Sequence, residues 1–329
     1  GMSIDVDAVS DLIRDVSARV IDPRFRTLDD HQIHQKKPGD FVTDADRQAE
    51  RELGAAVTKY AGGIVVGEES AFADPTILDA VSDADLAWVI DPIDGTKNFV
   101  HGSVDHGVML AQLNRGETVR GWIWQPQHGH MWFAEHGAGV TCDGDEVTRG
   151  DSHSPVRAAT THEVYKIPSP VVEWRMAKWC CAVDYPLVCQ DENDVTVYQH
   201  SYPWDHLPGA LMVREVGGVV RTVDGAEYGS RETSGKLIVA ADEEAYETGR
   251  MAKWCCAVDY PLVCQDENDV TVYQHSYPWD HLPGALMVRE VGGVVRTVEG
   301  AEYGPRETSG KLIVAADEEA YETVARLLR

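Results

Sequence analysis

Basic side chains are scarce in this chain. Its 329 residues hold 29 lysines and arginines against 55 aspartates and glutamates, a formal net charge of −26 at pH 7. A surface this acidic repels nucleic acid and anionic membranes, so neither is expected as a partner. It leaves room for an anionic small molecule, because bound cations reverse the sign of a local site. Long apolar runs are missing too. No stretch reaches the roughly 18 residues that a membrane-spanning helix needs. Cysteine is sparse, at seven, and none falls in a zinc or CxxC redox spacing. The odd count and the lack of a leader-like segment point to reduced thiols in a cytoplasm. Gly1 ahead of Met2 reads as a tag remnant. What remains is ordinary globular composition, 43% hydrophobic and 26% charged, long enough for two domains or one large two-part domain.

Apolar periodicity predicts mixed α/β structure with antiparallel pairing. Val9, Leu12, Ile13, Val16 and Val20 mark an amphipathic helix over residues 5–20. A polar segment, His31 to Gly39, leads through Asp40–Asp46 into a second helix over Arg47–Tyr60. Short strands follow at Ile64–Val66 and Ala87–Ile90. Val108–Leu113 and Val119–Trp124 read as a pair around Arg115-Gly116, and Met131–Ala134 with Gly139–Thr141 continues the meander. Residues 142–174, richer in Asp, Ser, Pro and Gly, read as a boundary. Beyond it come a helix at Leu207–Val216, stopped by Gly217-Gly218, and strands at Val219–Val223 and Leu237–Ala241. The domains expected are 1–150, 151–249 and 250–329.

The third of these repeats part of the second. Arg175–Thr248 recurs as Arg250–Thr323, and only two positions differ: Asp224 against Glu299 and Ser230 against Pro305. Six of the cysteines are therefore three counted twice: Cys180, Cys181 and Cys189, then Cys255, Cys256 and Cys264. A long unit present twice is no solenoid. The helical pattern starting at Asp317 runs on through Leu328, whereas its counterpart is expected to stop at Thr248-Gly249.

Carboxylates gather at predicted strand ends. Glu68 follows one strand, Asp91 and Asp94 follow another, and Asp205 sits at a helix start. Four carboxylates in one cleft repel one another unless cations lie between them. Oxygen ligands without His or Cys suit magnesium, calcium or manganese. Gly95-Thr96 could open a helix whose free N–H groups bind phosphate. Together these features suit metal-assisted phosphoryl transfer.

The motifs Gly67-Glu68-Glu69-Ser70, WVIDPIDGTKNFVHG at 88–102 and WDHLPGALMVREVGG at 204–218, with DFVTDAD at 40–46, resemble those of the inositol monophosphatase family. The resemblance covers residues 1–248. It implies a layered α-β-α-β-α sandwich of the inositol monophosphatase and fructose-1,6-bisphosphatase type. It implies lithium-sensitive hydrolysis of a small phosphate monoester by metal-activated water, without a phosphoenzyme. Two or three Mg2+ ions are implied, with Mn2+ as an alternative. Glu68, Asp91 and the Ile93 carbonyl would hold the first metal. Asp91 would bridge to a second, held by Asp94 and Asp205. Thr96, paired with Asp46, would orient the water with help from Glu68, and the amides of Gly95 and Thr96 would hold the phosphate. Asp94, Cys181, Ala182 and Asp205 would line the substrate. The partners implied are a small phosphorylated metabolite and a second copy in a homodimer.

The chain departs from the family where the alcohol should sit. Inositol-preferring members resemble one another in a Gly-Ser/Thr-Ala segment, and this chain has Cys180-Cys181-Ala182 there. They also tend to carry an acid seven positions before the Trp-Asp aspartate, where this chain has Tyr198, followed by Gln199 and His200. Fructose 1,6-bisphosphate, histidinol phosphate and 3′-phosphoadenosine 5′-phosphate are the alternative substrates. A non-catalytic metal- or phosphate-binding relative is the alternative class. Glu68, Asp91 and Asp94 occur once, so one catalytic centre is expected, completed by Asp205 or by Asp280 of the repeat. Asp205 is favoured, because docking the adjacent copy closes the shorter loop.

Overall fold

The computed structural model describes residues 4–38, 40–161, 172–222, 225–232, 235–253, 270–273, 285–304 and 312–328. The chain forms two compact units. The first comprises residues 1–150, 177–193 and 198–241. The second comprises 151–176, 194–197 and 242–329.

The first unit opens with helix α1 (Val6–Val16), capped by the Asp5 carboxylate on the Asp7 and Ala8 amides. Val9, Ile13 and Val16 are buried, as the spacing predicts. The polar segment that begins at His31 holds a strand. Strand β1 (Ile33–Lys37) pairs antiparallel with β2 (Asp40–Thr43), and α2 then runs Asp44–Ala61. Alternation in so polar a hairpin is too weak a signal to reveal strands. The helix starts three residues before the apolar pattern does, because Thr43 accepts from the Asp46 amide and Asp46 reaches back to the Thr43 amide.

A seven-stranded sheet follows, in the order β3 to β9: Ile64–Gly67, Ala87–Asp94, Gly107–Asn114, Glu117–Gln125, His130–Glu135, Gly139–Cys142 and Asp145–Val147. Only β3 and β4 run parallel; the rest are antiparallel neighbours. Every residue of β4 is buried, as a central strand covered on both faces requires. One face of the sheet joins α1 and α2 around Trp88, Ile90 and Trp122. The other joins α6 (Cys181–Cys189) and α7 (Pro203–Glu215) around Val89, Ile123 and Trp132. As the sequence predicts, α7 ends at Gly217-Gly218, with Gly217 in the left-handed region. Strands β13 (Val219–Thr222) and β14 (Leu237–Ala240) then form an antiparallel hairpin.

In the second unit, the expected boundary segment holds two strands. β10 (Val156–Thr160) pairs in parallel with β11 (Val172–Met176) and with the start of β12 (Val195–Tyr198). Helix α8 runs Glu243–Lys253, straight through Gly249. An interior glycine costs about 1 kcal/mol, and the helix-favouring Arg250-Met251-Ala252-Lys253 that follows offsets it. The repeat rebuilds its own hairpin. Strands β16 (Val294–Thr297) and β17 (Leu312–Ala315) pair in the register of β13 and β14 shifted by 75, with β15 (Val270–Tyr273) on the other side of β17. The terminal helix, α9, runs Glu318–Leu328. Asp224, Cys255, Cys256, Cys264 and Asp280 lie outside the described residues.

Candidate active site

The site lies wholly within the first unit, at the ends of β3 and β4. Asp91 and Asp94 are three residues apart, so on a regular strand they would face opposite ways. The ladder shifts between them: Asp91 opposes Met109, while Asp94 opposes Gly107. Three steps on β4 thus match two on β5, a bulge at Pro92, which has no N–H for the ladder. The bulge turns both carboxylates to one side. The first turn of α7 brings Asp205 to meet them, and ligand oxygens of all three lie within 4.8 Å of one another.

Asp94 is held by the Ala182 amide, which donates to Oδ2 at 2.6 Å, and by the Cys180 thiol at 3.1 Å. Gln125 takes the Ala182 carbonyl at 2.8 Å. Ala182 therefore meets the cluster through its backbone. Gly95 follows at φ 79°, and a Cβ there would lie 2.9 Å from the Asp105 carbonyl and 3.1 Å from Cys180 Sγ. Glycine satisfies both the left-handed backbone and the space. It caps α5 (Thr96–Val100), the short helix that the sequence predicts. The Thr96 hydroxyl lies 2.9 Å from both Asp46 Oδ1 and the Ile93 carbonyl. Thr43 fixes the other Asp46 oxygen, its hydroxyl at 2.6 Å and its amide at 2.8 Å.

Glu68 starts α3 (Glu68–Ala73) directly after β3. Two of its neighbours escape the sequence reading. Lys36 Nζ lies 3.6 Å from Glu68 and 3.0 Å from Glu69. Glu50 of α2 accepts the amides of Glu69, at 2.7 Å, and Ser70, at 2.9 Å, holding the turn that presents Glu68. No motif marks either residue, because each is supplied by an element distant in sequence. An apolar face does mark α2, and Glu50 interrupting that face is the one available clue.

The electrostatics are those of crowded anions. Burial raises Glu68 and Asp91 well above the usual carboxylate range, and the carboxylates around them add to it. Asp205 is pushed up to about 7 by burial and then by Asp94. Burial also raises Asp94, and the Ala182 amide opposes it. Asp91 Oδ1 is buried with no hydrogen-bond partner among the described residues. An unpartnered buried oxygen amid like charges fits a cation ligand. The donor set of carboxylates and one carbonyl is all oxygen, the chemistry of a hard divalent ion.

Cys181 is a buried thiol whose pKa burial raises well above the usual thiol value, with Asp94 adding to it, so it is no nucleophile. Tyr198 stacks on Tyr185, with centroids 5.4 Å apart and planes 15° apart. His200 Nδ1 lies 3.7 Å from Asp205 Oδ2. Behind it, His206 is buried, its Nε2 3.4 Å from His200 Nδ1 and its Nδ1 2.8 Å from the Tyr185 hydroxyl. Burial lowers its pKa well below the usual imidazole value, leaving it neutral.

A sequence model of the inositol monophosphatase family matches residues 5–254 and, separately, 244–329, so the repeat is matched again. A fructose-1,6-bisphosphatase/inositol-1-monophosphatase of Thermotoga maritima is 29% identical over 204 residues, 59% of this chain and 76% of its own length. The Nus factor SuhB of Escherichia coli is 28% identical over 225 residues, covering 64% and 82%. Among solved structures, the Thermotoga maritima IMPase superposes with a TM-score of 0.63 at 24% identity, over 74% of this chain and 95% of that one. An IMPase/NADP phosphatase complexed with Mg2+ and phosphate gives 0.62 at 17% identity, over 75% and 94%. With the mixed α/β fold and the motif residues gathered at one site, the chain belongs to the inositol monophosphatase family.

Proposed function

We propose that the chain hydrolyses a small phosphate monoester in the presence of magnesium. Phosphatases among its relatives support the activity in general. One observation carries the finer reading: the bulge at Pro92 turns Asp91 and Asp94 toward Asp205 and leaves Asp91 Oδ1 buried without a partner among the described residues. Glu68, Asp91, Asp94, Asp205 and the Ile93 carbonyl are the residues that would hold the cations. Bound there, magnesium would neutralise the phosphate and lower the pKa of a nearby water.

The protein's own groups do the rest. The amides of Gly95 and Thr96, at the start of α5, take phosphate oxygens. The Thr96 hydroxyl gives its proton to ionised Asp46 and keeps its lone pairs for a proton of the attacking water. Burial pushes the Asp46 carboxyl up to about 7, against the hydrogen bonds from Thr43, which suits a base working near neutral pH. Lys36 offsets part of the negative charge at Glu68. A non-catalytic relative would need none of these groups in register. The test is inorganic phosphate release from an aryl phosphate with and without millimolar magnesium. Magnesium-dependent release that Asp91→Asn abolishes is expected, and no release under either condition overturns the reading.

A further inference from the structure

Cys142 is the one cysteine that the duplication does not copy. It belongs to a second group of donors, apart from the carboxylate cluster. His130 opens β7, Cys142 closes β8, and Asp143 begins the turn into β9. One ligand atom from each lies within 4.8 Å of the other two. His130 Nδ1 is 2.7 Å from Asp143 Oδ2, and the Cys142 thiol donates to the same oxygen at 3.8 Å. One carboxylate oxygen thus faces an imidazole and a thiol together. The backbone holds it there. Cys142 pairs with Asp145 across a two-residue turn, in which Asp143 and Gly144 have φ of 52° and 85°. This is the Asp-Gly pattern of a tight hairpin, and few other pairs accept it. Asp143 is also pinned to β7: its amide donates to the Met131 carbonyl at 2.9 Å, and its Oδ1 accepts from the Met131 amide at 2.8 Å. Oδ1 is therefore fixed, and Oδ2 is left to the other two donors.

Turn chemistry accounts for Asp143 and Gly144, and a surface ion pair accounts for His130. Neither needs Cys142. Imidazole, thiol and carboxylate together are the donor set of zinc, whereas magnesium takes oxygen. The spacing fits as well. Bonds of about 2.0–2.3 Å put neighbouring donors about 3.3–3.6 Å apart in a tetrahedral zinc site. The 3.8 Å between Cys142 and Asp143 has little to close, and the 2.7 Å between His130 and Asp143 opens as an ion replaces the hydrogen bond. The His130 and Asp143 side chains are 49% and 42% exposed, so an ion can enter and water can fill the fourth position. The Met131 amide orients the carboxylate from behind, as ligating carboxylates require. Burial and Asp143 push Cys142 up to about 11, so zinc has to displace the thiol proton, and its charge beside Asp143 offsets part of that cost. Arg14 also acts on Asp143, but its guanidinium lies over Trp124 and donates to Asp11. The group sits at the same end of the sheet as Asp91 and Asp94, three and four strands along. At the usual strand spacing that is roughly 14–19 Å, so the two sites are separate.

We propose that His130, Cys142 and Asp143 hold one zinc ion, which ties β7 to the turn between β8 and β9. Zinc here is independent of phosphate hydrolysis, so the test reads binding and not turnover. The full chain is stripped with EDTA, desalted under a reductant, and returned to millimolar magnesium, which occupies the carboxylate cluster. Cobalt(II) is then added as a stand-in for zinc. A thiolate ligand gives cobalt a charge-transfer band in the near ultraviolet, and oxygen ligands alone do not. The band is expected to appear, and zinc, the tighter binder of the two, is expected to bleach it. Cys142→Ser should remove the band. Competition with a chromophoric chelator should show zinc weakened about tenfold or more in Cys142→Ser and His130→Ala, since losing even a residue behind a ligand costs on that scale. Asp143→Asn separates a ligand from a turn residue. Asparagine accepts the left-handed backbone and can still take the Met131 amide, so the metal-free Tm should hold while zinc affinity falls. That variant also carries the test if Cys142→Ser fails to fold. No cobalt band, a band that survives Cys142→Ser, or equal zinc affinity in the parent and Asp143→Asn overturns the site.

Discussion

Thr96 Oγ1 lies 2.9 Å from Asp46 Oδ1, a contact that spans 50 residues of sequence. It couples the first turn of α5 to the first turn of α2. Thr96→Ala removes the group that would take the water's proton and leaves the carboxylate cluster in place. The expected outcome is a fall in kcat of about 10²-fold or more, with magnesium affinity nearly intact by titration. Loss of metal binding instead would make Thr96 a structural residue only.

Asp46 gives that contact a pH signature. Folded, its carboxyl keeps a proton up to about 7; unfolded, it loses the proton near the ordinary aspartate value of 3.8. Between these values the folded state binds more protons, so this group's contribution to stability falls as pH rises through the window. Activity needs the ionised form and rises over the same range. Asp46→Asn should therefore lose turnover and flatten its share of the pH slope of Tm. It should melt higher than the parent at pH 8 and with a smaller difference at pH 5. The converse pattern, a Tm advantage of the variant over the parent that is larger at pH 5 than at pH 8, contradicts the burial argument.

Crowding of Glu68, Asp91, Asp94 and Asp205 predicts that divalent cations stabilise the fold. A ligand at 100 times its Kd adds about 2.7 kcal/mol, so magnesium should raise Tm by several degrees and EDTA should reverse the shift. Asp91→Asn should abolish most of that shift, and Asp94→Asn should weaken it less. A parent protein whose Tm ignores magnesium would place the cations elsewhere.

Much of this site was legible in the sequence, because its ligands sit at predictable places, after short apolar strands and before a helix. The bulge was not. A bulge depends on the register of a partner strand, and nothing within Asp91–Asp94 states that Met109 and Gly107 will face them. Lys36 was hidden in a hairpin too polar to alternate, and β10 and β11 lay in a stretch whose turn-forming composition concealed them. Glycine misled once: Gly249 read as a stop, yet the helix on its far side carries through.

Asp205 reaches the cluster because α7 packs closely on β6. A Cβ at Gly121 would lie 2.9 Å from Pro208 Cα, a backbone atom that cannot swing aside. Gly121→Ala should cost about 1–3 kcal/mol by overpacking and should weaken magnesium binding more than a distant change of equal destabilisation. Unchanged metal affinity in a destabilised variant would break the link between this packing and the site.

The repeat supplies a second Asp in the same motif, Asp280, and the two copies differ in what surrounds them. Leu211, on the face of α7 that meets the sheet, is 3% exposed, whereas its counterpart Leu286 is 47% exposed. Ser230 donates to the Gly116 carbonyl at 2.8 Å and lies 3.3 Å from the Ser82 hydroxyl, tying the first copy to the β5–β6 turn. The matching residue in the second copy is Pro305, which has no hydroxyl to give. The first copy is therefore the better fit for the sheet, and the expected single site uses Asp205. Asp205→Asn should abolish magnesium-dependent turnover and Asp280→Asn should leave it near the parent value. Leu211→Lys should destabilise the fold by several kcal/mol as an unpaired buried charge, while Leu286→Lys should stay within about 0.5 kcal/mol, as exposed changes do. If Asp280→Asn alone is inactive, the second copy holds the seat. If neither single variant loses activity but the double variant does, the copies exchange in it.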